Sequence, residues 1–130
     1  MLRVGGAGLT NANGSQISIT SGVVDVFGAL TNKLGGQIAV VGRSTAVFHD
    51  AFTNNGGIFV SASSELVLLE NLSFNTASSL AVQLAPPGAM DDPADGFGLV
   101  SVGGAAALSG TLAVSLASGF SPSPGGSLDI

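Results

Sequence analysis

Few side chains in this sequence could carry out covalent chemistry. Its only histidine is His49, and Asp50 follows it directly. A Ser-His-Asp hydrolase would have to use this histidine as its general base, yet the chain contains no Gly-x-Ser-x-Gly turn to present a nucleophile. His49 comes just after the apolar run 46–48, so we expect it to face solvent or a turn. His49 and Asp50 are therefore weak catalytic candidates, and a non-enzymatic role is favoured.

Pairs of carboxylates are the second group of side chains that could carry out chemistry, since they could catalyse the cleavage of a polysaccharide. Glycoside hydrolysis needs two carboxylates on either side of the scissile bond. The candidates before residue 83 are Asp25, Asp50, Glu65 and Glu70. With a repeat of about 21 residues, no two of them are expected at equivalent positions in consecutive repeats. The spacing thus favours separate surface acids over a catalytic pair.

A cluster of acids near residue 90 is the best candidate for a metal site. Asp91, Asp92 and Asp95 lie in a loop rich in Pro and Gly, and Ca²⁺ takes six to eight oxygen ligands. The spacing matches neither the EF-hand loop nor the Gly-Gly-x-Gly-x-Asp calcium repeat. We therefore expect a solvated acidic turn and no cofactor, with Ca²⁺ as the alternative.

The composition limits the partners and the environment of the chain. Only 8% of the residues are charged, three of them positive, and the formal net charge is −5. Nucleic-acid binding needs a basic patch that neutralises phosphates, so no nucleic-acid partner is expected. No apolar run reaches the 18 or so residues of a membrane helix, so no membrane insertion is expected. The absence of cysteine excludes disulfides and thiolate metal sites.

A short phrase recurs about every 21 residues along the first two thirds of the chain. Leu-Thr-Asn occupies residues 9–11 and 30–32, Phe-Thr-Asn occupies 52–54, and Ser-Phe-Asn is a weaker copy at 73–75. Each copy is followed by a short alternating apolar run, at 17–19, 38–40, 58–60 and 80–82. A constant period in this range is typical of stacked repeat architectures.

The elements that repeat are strands. The sequence has no sustained helical periodicity, whereas short period-two runs bounded by Gly and Asn are frequent. We predict an all-β parallel β-helix, with about 21 residues per coil and five or six coils; this coil length favours the right-handed, three-sided form. Each repeat should contribute two strands, with the Thr-Asn step at a bend. Gly22 and Gly42 should occupy a corner with positive φ.

In such a coil, equivalent residues stack on one another about 4.8 Å apart. The repeated asparagines should then form a side-chain ladder, comprising Asn11, Asn32, Asn54 and Asn75. The apolar positions should form core columns, which comprise Leu9, Leu30 and Phe52 in one column and Ile17, Ile38 and Ile58 in another.

The chain is predicted to be one domain, residues 1–130, with regular repeats at 1–83 and irregular coils at 84–130. The apolar segment and cleavage site of a signal peptide are not present at the start. Both ends fall within repeat-like sequence, so we expect a fragment of a longer protein. Charged residues that block edge pairing are scarce at both ends, and self-association as a homo-oligomer or filament is therefore expected.

The C-terminal third carries a resemblance to known proteins. Residues 102–114 fit the pattern V-x-G-x-A-x-L-x-G-T-L-x-V, and residues 119–125 fit G-F-x-P-x-x-G. This pair of patterns resembles the closing segment of bacterial β-helix surface proteins, such as autotransporter passenger domains and exosortase-sorted exported proteins. The units of the type T-N-x-G-G-x-I-x-V resemble the repeats that precede it. The resemblance implies an extracellular or cell-surface location for the parent protein.

Three classes of function are compatible with these features. The favoured one is a structural or adhesive shaft module of a bacterial cell-surface or secreted protein. The second is a carbohydrate-active enzyme or carbohydrate-binding module, with a polysaccharide as partner. The third is a segment of a trimeric fibre in which three chains bury their apolar stripes.

Overall fold

The computed structural model describes residues 2–3, 8–86 and 96–125, and these ranges are all-β without a helix. No element in the described ranges is thus a helix long and apolar enough to cross a membrane. The described strands are β1 (Leu2–Arg3), β2 (Leu9–Asn11), β3 (Gln16–Ile19), β4 (Gly22–Phe27), β5 (Leu30–Asn32), β6 (Gln37–Val40), β7 (Ser44–Phe48), β8 (Phe52–Asn54), β9 (Gly57–Val60), β10 (Glu65–Leu68), β11 (Leu72–Phe74), β12 (Ser79–Leu84), β13 (Leu99–Val102), β14 (Ala106–Ala107) and β15 (Thr111–Leu116).

These strands form three parallel five-stranded sheets. Sheet A has the order β1-β4-β7-β10-β13, sheet B contains β2-β5-β8-β11-β14, and sheet C contains β3-β6-β9-β12-β15. Every strand pairs with the strand three places further along the chain, so the backbone winds as a three-sided coil with one strand per side. The predicted parallel β-solenoid is confirmed, and the handedness of the coil stays a prediction.

The number of strands per repeat differs from the expectation. Each coil has three strands, because the Leu-Thr-Asn phrase is itself a strand of sheet B and not a bend. In β5 and β8 the first and third residues are buried while the central threonine points outward. This in-out-in pattern requires an extended backbone, and the asparagine side chain therefore enters the interior.

The pairing register shows how regular the length of the coil is. In sheet B, Leu9 pairs with Leu30, Leu30 with Phe52, and Phe52 with Leu72, so the length of the coil varies only slightly from one turn to the next. The step to the last coil is much longer, because Leu72 pairs with Ala106. The extra residues lie between β12 and β13 in the chain. Leu84 bridges to Phe97, and the pairing of β13 with β10 resumes the stacking.

The interior is filled by continuous columns of apolar side chains. The predicted columns are present in the pairing: Leu30 and Phe52 stack in sheet B, and Ile38 stacks on Ile58 in sheet C, each no more than 2% exposed. Leu9 and Ile17 in the first coil are only half-buried. Stacking of like on like buries each aliphatic side chain against its equivalents above and below, which is the main source of stability in a solenoid.

Glycine is required at one corner by both conformation and space. Gly42 has a φ of +72°, as expected for the corner before β7. A Cβ at this position would also lie 2.3 Å from the carbonyl oxygen of Thr20 in the preceding coil. Gly22, at the equivalent corner one coil earlier, has a φ of +75°.

Candidate functional site

The most organised polar feature is a column of asparagines inside the coil. Asn11, Asn32 and Asn54 stand at paired positions in β2, β5 and β8 and are at most 4% exposed. The Nδ2 of Asn11 donates to the Oδ1 of Asn32 at 2.8 Å, and the Nδ2 of Asn32 donates to the Oδ1 of Asn54 at 2.7 Å. The amides thus form a ladder parallel to the axis of the solenoid, with each donor directed at the next coil. We call these three residues the asparagine spine.

The spine also holds the corner between sheets B and C. Each amide donates an Nδ2 hydrogen to a backbone carbonyl there: Asn11 to Gln37 at 2.8 Å, Asn32 to Gly57 at 3.1 Å, and Asn54 to Gly56 at 3.1 Å. In addition, the Oδ1 of Asn54 accepts the Gly56 N–H at 3.2 Å. The buried amide of Asn32, which uses both donor hydrogens and its acceptor oxygen, stabilises the bend instead of costing desolvation.

The glycines that follow Asn32 and Asn54 make room for the spine, and the sequence analysis did not connect the two. A Cβ on Gly36 would lie 2.5 Å from the Oδ1 of Asn32, and one on Gly56 would lie 2.8 Å from its Nδ2. Both glycines are buried. The sequence does contain a signal for this packing. A glycine stands four residues after Asn32 and two residues after Asn54, at the corners into which the asparagine side chains extend.

Asn75 does not belong to the spine, and the prediction for this residue was wrong. The step between these two coils is shorter than the one before it, so Phe74 stands opposite Asn54 and occupies the inward position. Asn75 is exposed and donates instead to the Oδ1 of Asn55 at 2.8 Å. A shift of one residue along a strand reverses the side that a side chain faces. The spine therefore ends at Asn54.

A second set of buried polar contacts lies at the corner between sheets C and A. The hydroxyl of Ser44 shares its single hydrogen between the carbonyl oxygens of Val41 at 2.8 Å and Ile19 at 3.1 Å. In the next coil, the hydroxyl of Ser64 accepts the N–H of Arg43 at 3.1 Å. Both serines are 1% exposed. Throughout the described ranges, every buried side-chain nitrogen and oxygen has a hydrogen-bond partner.

His49 lies on the outer side of sheet A and is paired with Asp25, a candidate carboxylate that the sequence analysis did not connect to the histidine. Its Nε2 is 2.8 Å from the Oδ1 of Asp25 in the preceding coil, and its ring stacks on Phe27 at 4.0 Å between centroids. Asp50, the predicted neighbour, instead accepts the Gly28 N–H at 2.7 Å. The two catalytic candidates therefore have separate partners. The contacts of His49 and Asp50 fit the stacking of one coil on another.

We expect the substitution His49→Ala to lower the free energy of unfolding by no more than about 2 kcal/mol. The Asp25 side chain is 40% exposed and that of His49 28%, and exposed ion pairs contribute about 0–1 kcal/mol. The Phe27 stack adds a similar amount. Urea unfolding of His49→Ala, Phe27→Ala and the double variant measures the stacking as a coupling energy. A loss above about 3 kcal/mol in the single variant would contradict a surface role.

Two of the acids do occupy equivalent positions, contrary to the expectation. Phe48 pairs with Leu68 and Phe52 with Leu72, so Asp50 and Glu70, between them, share one corner of consecutive coils. The shorter step between these two coils brings them into register. The Asp50 carboxylate, however, is bonded to Gly28 in the preceding coil, on the opposite side from Glu70. The register thus aligns the backbones of these acids without turning the Asp50 carboxylate toward Glu70.

The predicted calcium ligands Asp91, Asp92 and Asp95 lie outside the described residues. Within the described ranges, no three or more His, Asp or Glu side chains are grouped so that they could hold a metal ion. The aspartates of the 91–95 segment therefore stay a sequence-based prediction.

Comparison with known proteins adds no relative to this description. No family model matches the chain, and no curated protein or solved structure matches it.

Proposed function

We propose that this chain is a structural module, a rigid segment in the shaft of a bacterial cell-surface or secreted protein that also associates with itself. The observation that carries the proposal is the asparagine spine, a hydrogen-bonded ladder that runs along the axis through three consecutive coils. Its amides are buried, and those of Asn11 and Asn32 donate both of their hydrogen bonds to the following coil.

The remaining contacts point in the same direction. Three parallel sheets connect every coil to its neighbours through backbone ladders, and apolar columns fill the interior. In a solenoid each repeat contacts only its neighbours, so interactions directed along the axis determine the stiffness of the rod. Side-chain amides and stacked Phe or Ile add such interactions inside the coil, where water does not compete.

The proposed location rests on composition and on resemblance. The surface is built mainly from Ser, Thr, Asn and Gly, with 8% charged residues and no cysteine. The C-terminal patterns at 102–114 and 119–125 resemble those of exported bacterial β-helix proteins. Both features support a place outside the cell for the parent protein.

The carbohydrate alternative needs an aromatic platform or two facing carboxylates on one side of the coil. The aromatic pair on sheet A, Phe27 and His49, uses its ring faces for stacking, with an angle of 14° between the planes. This stack occupies one face of each ring, and the nearby carboxylates of Asp25 and Asp50 are bonded to His49 and to the Gly28 N–H. These contacts support the shaft function over a carbohydrate site on this face, because they join consecutive coils and form no pair of facing carboxylates.

Distance measurements between spin labels test the rigid-shaft function. Ser18 and Ala113 are exposed on the outer face of sheet C, and four pairing steps separate them: 18 to 39, 59, 81 and 113. For the spin-labelled double variant Ser18→Cys/Ala113→Cys, diluted with unlabelled protein, we expect a narrow distance distribution that corresponds to about 19 Å between the two backbones. Deleting residues 30–51, one coil, should shorten it by about 4.8 Å.

Two results would contradict the shaft function. One is a broad distance distribution in the folded full-length chain, since a flexible rod cannot act as a spacer. The other is saturable binding or cleavage of a defined oligosaccharide on a glycan array, which would favour the carbohydrate class.

A further inference from the structure

The dipeptide Asn-Gly occurs twice in this chain, at residues 13–14 and 55–56, and both copies lie at the corner between sheets B and C. In Asn-Gly the backbone nitrogen of the glycine can attack the asparagine side chain, because glycine has no Cβ that shields this nitrogen. The rate of such an intramolecular reaction depends on how the two reacting atoms are held relative to each other. The fold holds them differently at the two sites.

At the first site both reacting groups face the same residue, Gly35 of the following coil. The Gly14 N–H donates to the Gly35 carbonyl at 3.1 Å. The Cγ of Asn13 lies 2.9 Å from the point that a Cβ on Gly35 would occupy. A turn closed by the bond from the Ser15 N–H to the Ala12 carbonyl, at 3.0 Å, fixes this arrangement. The Asn13 carboxamide and the Gly14 nitrogen are therefore directed to one place.

The first site also points away from the interior of the coil. Asn13 and Gly14 are exposed, and a Cβ on Gly14 would meet no atom within 4 Å. Leu34 stands at the equivalent position in the next coil, 21 residues further on. It has a coil on either side and is nevertheless 63% exposed. This corner position is therefore open to water in the middle of the stack as well.

At the second site the two reacting groups are held in different directions. The Oδ1 of Asn55 accepts from the Nδ2 of Asn75 in the following coil at 2.8 Å. The Gly56 N–H instead donates to the Oδ1 of Asn54 in the interior at 3.2 Å. Gly56 is buried, and its carbonyl accepts from the Nδ2 of Asn54 at 3.1 Å. The end of the asparagine spine would have to open before the Gly56 nitrogen could turn toward the Asn55 carboxamide.

We propose that Asn13 is a site of spontaneous modification in the folded protein, at which the side-chain amide is lost as ammonia. Hydroxide removes the proton from the Gly14 nitrogen, and this nitrogen forms a bond to the Cγ of Asn13. The bond from Cγ to Nδ2 then breaks, and Nδ2 takes up a proton from water and leaves as ammonia. Water opens the resulting cyclic imide at either carbonyl, which gives aspartate or isoaspartate.

The modification changes the corner in two ways. Each event replaces a neutral amide by a negative charge, and isoaspartate also lengthens the main chain by one carbon atom between Asn13 and Gly14. The longer chain displaces the Gly14 N–H from the Gly35 carbonyl, which is one of the bonds that join this coil to the next. The inference goes beyond the proposed function and does not depend on it.

Mass spectrometry of the full-length chain during incubation at mildly alkaline pH tests the proposal. Cleavage after Lys33 and Arg43 places Asn13 and Asn55 in different peptides, and fragmentation of each peptide assigns the residue that has changed from amide to acid. In the folded protein we expect Asn13 to react at least about tenfold faster than Asn55, because an exposed corner opens locally more often than the buried interior. In urea above the unfolding midpoint the two should react at similar rates, since both precede glycine.

Asn13→Ala is the matched control, because it removes the carboxamide and keeps Gly14. We expect the fast release of ammonia to disappear in this variant, and circular dichroism melting checks that its coil is retained. Equal rates at Asn13 and Asn55 in the folded protein, or no reaction at Asn13, would overturn the proposal. A preference for Asn13 that persists in urea would also overturn it, since the preference would then come from the local sequence and not from the fold.

Discussion

Replacing Phe52 with alanine is expected to lower the free energy of unfolding by about 3–5 kcal/mol, the usual loss for a buried phenylalanine. Phe52 is 2% exposed and stands between Leu30 and Leu72 in the central column of sheet B. Its ring packs edge-on against Phe48 of sheet A at 5.4 Å between centroids. Its removal leaves a cavity that fixed backbone ladders on three sides prevent from collapsing.

The matched control is Phe59→Ala. Phe59 stacks between Ala39 and Ala81 in sheet C and is only partly buried. We expect a loss of no more than about 1.5 kcal/mol, because water takes the place of the ring. Urea unfolding followed by far-UV circular dichroism measures both. Equal losses at the two positions would show that the interior column of sheet B adds no packing beyond that of the outer surface.

The second large effect is expected for Asn32→Ala, at about 2–4 kcal/mol. Asn32 is fully buried and makes three side-chain bonds, from Asn11 and to Asn54 and Gly57. Alanine removes all three and leaves a donor, an amide oxygen and a carbonyl each lacking one partner in a site that water does not reach. Asn32 is the middle residue of the spine, so its removal breaks the side-chain ladder between the coil that contains Asn11 and the coil that contains Asn54.

Asn75→Ala is the control for this substitution, since it changes the same residue type in the same repeated phrase. Asn75 is exposed, so water replaces its bonds to Asn55 and to the turn at Ala77. We expect a loss below about 1 kcal/mol. Thermal or urea unfolding measures both variants. A larger loss for Asn32→Ala would show that the buried ladder stabilises the fold, whereas identical midpoints would show that the spine contributes no more than a solvent-exposed turn.

Much of this fold was readable because parallel stacking converts sequence spacing directly into contact. Leu9 and Leu30, or Ile38 and Ile58, are one coil apart in the chain and neighbours in space. The same rule placed Asn11, Asn32 and Asn54 in one column. The strand in the Leu-Thr-Asn phrase was missed because three residues with a polar end look like a turn. Only the burial of the asparagine shows that the phrase is extended.

The candidate surface site was less predictable. The sequence placed His49 next to Asp50, and the fold pairs it with Asp25, 24 residues away. Side chains on the outside of a coil contact neighbours on adjacent strands, whose identity depends on the register of each pair. A prediction that used one average period could not choose between Asp25 and Asp50 as the partner.

By itself, then, the sequence determined the stacked β-solenoid, its period and its like-on-like columns, since a repeated phrase fits only an architecture that places equivalent residues together. The tertiary structure alone decided where the columns change and end. Coils of slightly different length look alike in a sequence, yet a small change in the step between strands turns Asn75 outward and Phe74 inward. Val82 and Val114 likewise stand at paired positions in β12 and β15, yet Val82 is 4% exposed and Val114 49%, a difference that only the fold shows.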